Sequence, residues 1–133
     1  MSLIAALQKF VVARLKADAD VADLVEARVY DRPPAGVKMP FVSIGPSDEI
    51  PSDAACLDLI DATLQIDVWS DAQGGAVEAR KICSAIKAAL HEVDGDIEAG
   101  KLLEIRVRQT RAFDDQNPGV THGIVTIEAL LEE

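Results

Sequence analysis

The chain is poor in aromatic residues: one Trp, one Tyr and three Phe make up 4% of 133 residues. A core must therefore be built from aliphatic side chains and Ala, and a hydrophobic content of 49% is enough to supply one. Cysteine is scarce too. Cys56 and Cys83 form no CxxC pair and no cluster with His, which excludes a disulfide scaffold and the usual zinc spacings. Both read as small apolar fillers. No apolar run reaches the roughly 18 residues that a membrane-spanning helix needs. No secretory apolar region opens the chain, so the expectation is a reduced, cytoplasmic protein. The nucleotide-binding patterns GxxxxGK[ST] and GxGxxG and the GxSxG elbow are all missing.

What is present in excess is negative charge. The formal net charge is −10 and the pI about 4.5. Such a surface repels phosphate backbones and disfavours sequence-specific binding of nucleic acid. It suits solubility, and equally a wall that surrounds DNA without holding it.

The length is that of one domain, 1–133, able to bury roughly two-thirds of its unfolded surface. Residues 2–18 carry Leu3, Leu7, Phe10, Val11 and Leu15 at helical spacing, with Ser2 as the N-cap. Asp20 is placed to cap a second, short helix through Val21, Leu24 and Val25. Arg28 to Asp31 is a short strand, ended by Pro33-Pro34-Ala35-Gly36. Phe41 to Gly45 is a second strand. Residues 46–56, with two prolines and three acids, show no period and read as a loop or extended arm. Residues 57–69 are the clearest strand: Ile60, Ala62, Leu64, Ile66 and Val68 alternate with Asp61, Thr63, Gln65, Asp67 and Trp69.

Gly74-Gly75 then breaks the chain. A helix from about Ala76 to Leu90 places Val77, Ile82, Ala85, Ile86, Ala89 and Leu90 on one side, and His91 ends it in a cap-like position. Leu103, Ile105 and Val107 alternate with Glu104, Arg106 and Arg108 in a further strand. Asp114 to Gly119 is a loop, His122 a turn residue, and Gly123 to Leu131 the last strand. The expected fold is α+β, in the order α-α-β-β-β-α-β-β. It has a mixed or antiparallel sheet of about five strands with helices packed on one face.

The chemistry that these residues support is thin. Asp61 and Asp67 share a strand face but stand roughly 20 Å apart at about 3.3 Å per residue, too far to hold one metal ion. Neither His91 nor His122 lies in a pattern that activates a serine. No catalytic, cofactor or metal site is expected. Arg106, Arg108 and Arg111 form a basic stripe suited to ion pairs with an acidic neighbouring subunit, a heterologous contact that closes a ring. Trp69, at a strand end on the polar face, is placed to pack locally or under a neighbouring subunit.

The run of segments carries a family resemblance. It spans Ala19-Asp20-Val21-Ala22-Asp23-Leu24-Val25, Arg28-Val29-Tyr30-Asp31 and Met39 to Gly45. It continues through Gln65-Ile66-Asp67-Val68-Trp69-Ser70, Glu78-Ala79-Arg80-Lys81-Ile82, Ala85 to His91 and Thr121-His122-Gly123. In order and spacing these resemble the small tail-completion proteins of long-tailed phages and gene transfer agents. The resemblance implies a structural tail terminator, part of the tail or neck of a virion or phage-like particle. It implies a ring, usually hexameric, that caps the tail tube and joins it to the head connector. Implied partners are further copies of the chain, the tail tube protein and a head-tail connector or stopper protein, with DNA passing through the lumen unbound. On that footing Asp48, Glu49 and Asp53, or Asp114 and Asp115, are expected to line the lumen or face the tube. Another neck component, such as a head-completion or connector-adaptor subunit, is the alternative. A metal-dependent nuclease and a solitary binding module are more remote.

Overall fold

The computed structural model describes residues 2–54 and 57–133, with the backbone alone at 53, 54 and 57. Cys56 lies outside the described residues. Helix α1 spans Leu3–Ala17, and the Ser2 hydroxyl accepts from the Ala5 N–H at 3.1 Å, as expected of the N-cap. Helix α2 spans Ala19–Val25. Its N-cap is Asp18 and not Asp20: the Asp18 carboxylate accepts from the Val21 N–H at 3.0 Å. Asp18 has the extended backbone a cap requires, so one residue ends α1 and starts α2. Asp20 sits in the first turn, where its charge suits the helix dipole.

Strands β1 (Val29–Tyr30), β2 (Phe41–Ala54) and β3 (Leu57–Ser70) follow, then α3 (Val77–Leu90), β4 (Lys101–Asp114) and β5 (Thr121–Glu132). The sheet order is β1-β2-β3-β5-β4. β1 runs parallel to β2 and every other neighbouring pair is antiparallel, so the sheet is mixed.

Two expectations need correcting here. The segment from 46 to 54 is strand, paired with β3 from Ser47↔Leu64 to Ala54↔Leu57. A bulge between Ile44 and Ser47 shifts the alternation by one and hides the period. The prolines are tolerated because this length of β2 has no strand on its outer side. In β4, Leu103 does not alternate inward with Ile105. A bulge inserts it between Leu102 and Glu104, and it is 46% exposed.

The three helices cover one face of the sheet and close a single core with Leu64, Ile66, Val68, Val125, Ile127 and Leu131. Val77, expected on the buried side of α3, is exposed, and the buried stripe starts at Ala79. A helical side chain covers the turn before its own Cα, and Val77 has no turn before it. Cys83 is buried as expected, and burial pushes its thiol up to about 11. It faces Gly123, where a Cβ would stand 2.8 Å from the Cys83 sulfur and 3.1 Å from Val68 Cβ. α3 crosses β5 at a distance that only glycine permits.

Candidate assembly surfaces

Among the described residues, no helix covers the other face of the sheet. Strand register aligns its side chains in rows. One row joins Phe41, Trp69, His122 and Phe113 across β2, β3, β5 and β4. Tyr30 extends it on β1, with ring centroids 6.4 Å from Phe41, edge-on. Phe41 lies 6.3 Å from Trp69, Trp69 stacks on His122 at 4.0 Å, and Phe113 tilts against His122 at 5.0 Å. The guanidinium of Arg111 closes the row, 5.0 Å from the centre of the Phe113 ring. Four of the five aromatic residues of the chain thus meet on this one line. Trp69 is packed locally, between two strands.

The next row explains His122. It is no turn residue: it lies in β5, and its Nε2 is 2.7 Å from Asp67 Oδ1. A carboxylate only accepts, so Nε2 carries the proton. Gln65 donates to the same oxygen at 2.8 Å, and the Trp69 indole N–H donates to the Ser43 hydroxyl at 3.1 Å. Gly45 leaves the room Asp67 needs, since a Cβ there would come 2.5 Å from Asp67 Oδ2. Ser43 Oγ accepts from Trp69 and, among the described residues, has no His or carboxylate within hydrogen-bond reach to take its own proton, as an activated nucleophile requires. These contacts orient side chains. No local pattern in the sequence announces them, because 55 residues separate Asp67 from His122 and only strand register joins them.

The basic stripe lies on β4, an edge strand. Arg106 is directly across from Glu128, and Arg108 occupies a second bulge. Both reach the Glu128 carboxylate at 3.3 Å. Two cations share one anion within the chain, and both guanidinium groups remain largely exposed. Arg111 joins the aromatic row and not this pair.

The acids do not form one patch. Asp48 pairs with Thr63 on the open face, while Glu49 pairs with Ala62 and turns to the helices. There its carboxylate accepts from the Ile4 N–H at 3.2 Å, at the start of α1. Asp53 pairs with Asp58 in the β2–β3 hairpin, and its side chain lies outside the described residues. Asp114 and Asp115 sit at the far end of the sheet, where with Asp71 they border a cleft floored by Gly74, Gly75 and Gly119. Asp115 accepts from the backbone and side-chain N–H groups of Asn117 at 3.2 and 3.1 Å and shapes the β4–β5 turn.

Two junctions brace the framework. At the β3–α3 junction, the Ser70 hydroxyl donates to Glu78 at 2.8 Å and accepts from the Ala72 N–H. His91 is the C-cap of α3, as expected, and its Nδ1 accepts from the Val107 N–H at 3.0 Å. Glu92 N–H donates to Ile105 O at 2.9 Å, so this turn occupies the middle of the β4 edge. Among the described residues, no three His, Cys, Asp or Glu side chains are grouped to hold a metal ion.

The family model described as tail completion protein gp17 matches residues 9–132. The chain belongs to this family. A chain in the virion of a native gene transfer agent particle has the same fold, with a TM-score of 0.90 at 28% identity. That match covers 99% of this chain and 98% of the other. The gp17 protein of bacteriophage SPP1 matches with a TM-score of 0.58 over 94% of this chain and 88% of its own. At 19% identity that likeness is one of fold. No curated protein matches the chain. Family membership fits a small domain with an open sheet face and sheet edges that are only partly covered.

Proposed function

We propose that the chain is a structural subunit in the tail of a phage-like or gene transfer agent particle. Copies form a ring, hexameric by the family resemblance, that terminates the tail tube and joins it to the head connector. The observation that carries this is the end-to-end match to a chain of an assembled gene transfer agent virion, with almost nothing unmatched in either chain. The polar residues fit such a role without catalysis. Asp67 and His122 hold strands in place, and Arg106 and Arg108 share Glu128 on an exposed edge.

The tail tube protein and a connector or stopper protein are its partners, and DNA passes through the lumen unbound. Among the described residues, no helix is long and apolar enough to cross a membrane. The cleft bordered by Asp71, Asp114 and Asp115 supplies the acidic wall. Like charge keeps a phosphate backbone sliding within a Debye length of about 8 Å.

Negative-stain images of particles made without this protein test the role. Overlong or headless tails support termination; filled heads without tails assign it to the connector instead. Asp114→Lys with Asp115→Lys should slow DNA delivery while rings still form. Delivery at the unmodified rate overturns the lumen assignment.

A further inference from the structure

We propose that copies of this chain join head to tail through opposite edges of the sheet, β2 and β4. The β2 edge around Ile50 of one copy seats against the β4 edge around Leu103 of the next. This rests on the ring proposed above and names the surface that builds it.

The large hydrophobic side chains exposed among the described residues are Ile50 at 61%, Val77 at 59% and Leu103 at 46%. Two of the three stand on opposite edges of one sheet. They also stand at the same height, since the row Ile50, Asp61, Leu130, Glu104 crosses the sheet and Leu103 is the extra residue beside Glu104. Neither edge has a strand outside it there, because β1 pairs only with Val42 and Ser43 and β4 ends the order.

The charges are complementary. The β2 segment 46–54 carries Asp48, Glu49 and Asp53 and no base, with Glu49 turned to the helices and Asp48 beside Ile50 on the open face. β4 carries Lys101, Arg106, Arg108 and Arg111 against Glu104 and Asp114. Asp48 makes no ion pair among the described residues, and the two arginines share a single carboxylate. An apolar anchor flanked by exposed opposite charge is the composition of an interface centre with a steering rim.

Direction agrees as well. β2 and β4 run oppositely within the chain, so a neighbour with its open face on the same side presents β2 antiparallel to β4. Each copy has one edge of each kind, so the contact repeats until the circle closes. The contact is short and led by side chains: Pro51 has no N–H to give, and the His91–Glu92 turn occupies the β4 edge at Ile105 and Val107.

Cross-linking tests it. In a Cys56→Ser background, Ile50→Cys and Leu103→Cys are combined in one chain and oxidised, alongside each change alone. The combined chain should give a covalent ladder that ends at the ring, and neither single change should cross-link. Dimers from a single change mean that like edges meet, which overturns the proposal. So does the absence of a ladder in a sample that native mass spectrometry shows to be ringed, an outcome that leaves the ring itself intact. Only monomer in native spectra of the unmodified protein, both free and released from particles, overturns the ring and the edge contact together.

A second measurement avoids cysteine. Ile50→Asp and Leu103→Asp should each fold, by circular dichroism, and weaken self-association at least tenfold. Mixed together they should form dimers, since each retains the edge the other has lost. A mixture that stays monomeric where the unmodified chain forms rings counts against the edges.

Discussion

The covered face of the sheet holds Leu64, Ile66, Val68, Val125, Ile127 and Leu131, none more than 1% exposed. The open face, on the same two strands and β4, holds Trp69, His122, Phe113, Gln65, Glu128 and Leu130, half-buried or partly so. The first is stabilised by removing apolar surface from water, which depends on composition and volume more than on order. The second is stabilised sideways, by cross-strand pairs that exist only in one register. The difference teaches where this protein can afford change: the covered face tolerates neighbours of similar volume but no charge, and the open face tolerates charge but no slip of a strand.

Substitutions can break or sharpen that contrast. The largest effect is expected from Ile127→Asp, a charge with no partner in the core, which should destabilise by at least about 4 kcal/mol in urea titrations. A small loss there would mean that the covered face is wet. The same injury arrives by titration at Cys83. Its thiol is raised from 9.0 to about 11, so the folded state favours the protonated form. The stability this supplies is complete below pH 9 and drains away as pH rises toward 11. Cys83→Ala should flatten that decline.

On the open face, Trp69→Ala should cost about 2–3 kcal/mol, less than a fully buried aromatic, as followed by circular dichroism. His122→Ala comes next, at about 1–2 kcal/mol, because it strips a partner from a carboxylate that is only 7% exposed. Asp67→Asn together with His122→Ala should lose less than the two separate losses combined, which a double-mutant cycle would show. Arg106→Ala is the smallest, within about 1 kcal/mol, since an exposed ion pair adds little. Losses at Trp69 and Arg106 of equal size would erase the distinction between the row and its rim.

Much of the covered face was legible in the sequence. Periods of 3.6 in α1 and α3 and of 2 in β3 and β5 name most of the core residues. The exceptions are local. The bulge after Ile44 reversed the alternation of β2, and Asp18 rather than Asp20 had the backbone to cap α2. The open face was legible only as a list of polar residues. Asp48 and Glu49 are neighbours in sequence and face opposite sides, because a strand turns over at every residue. Arg106 and Arg108 could be seen as a stripe, but Glu128 comes opposite them only once β4 and β5 pair. His122 shows the limit most plainly: its partner is chosen by register between distant strands, and no window of sequence contains both.

The interrupted edges of the sheet have a consequence for handling the molecule in bulk. A cross-β fibril needs long runs of unbroken donors and acceptors on strand borders. Here one border lacks amide hydrogens at Pro46 and Pro51, and the other is plugged midway by a histidine ring. Concentrated solutions should stay clear and fail to bind amyloid dyes. Removing the plug with His91→Ala is the change most apt to start precipitation.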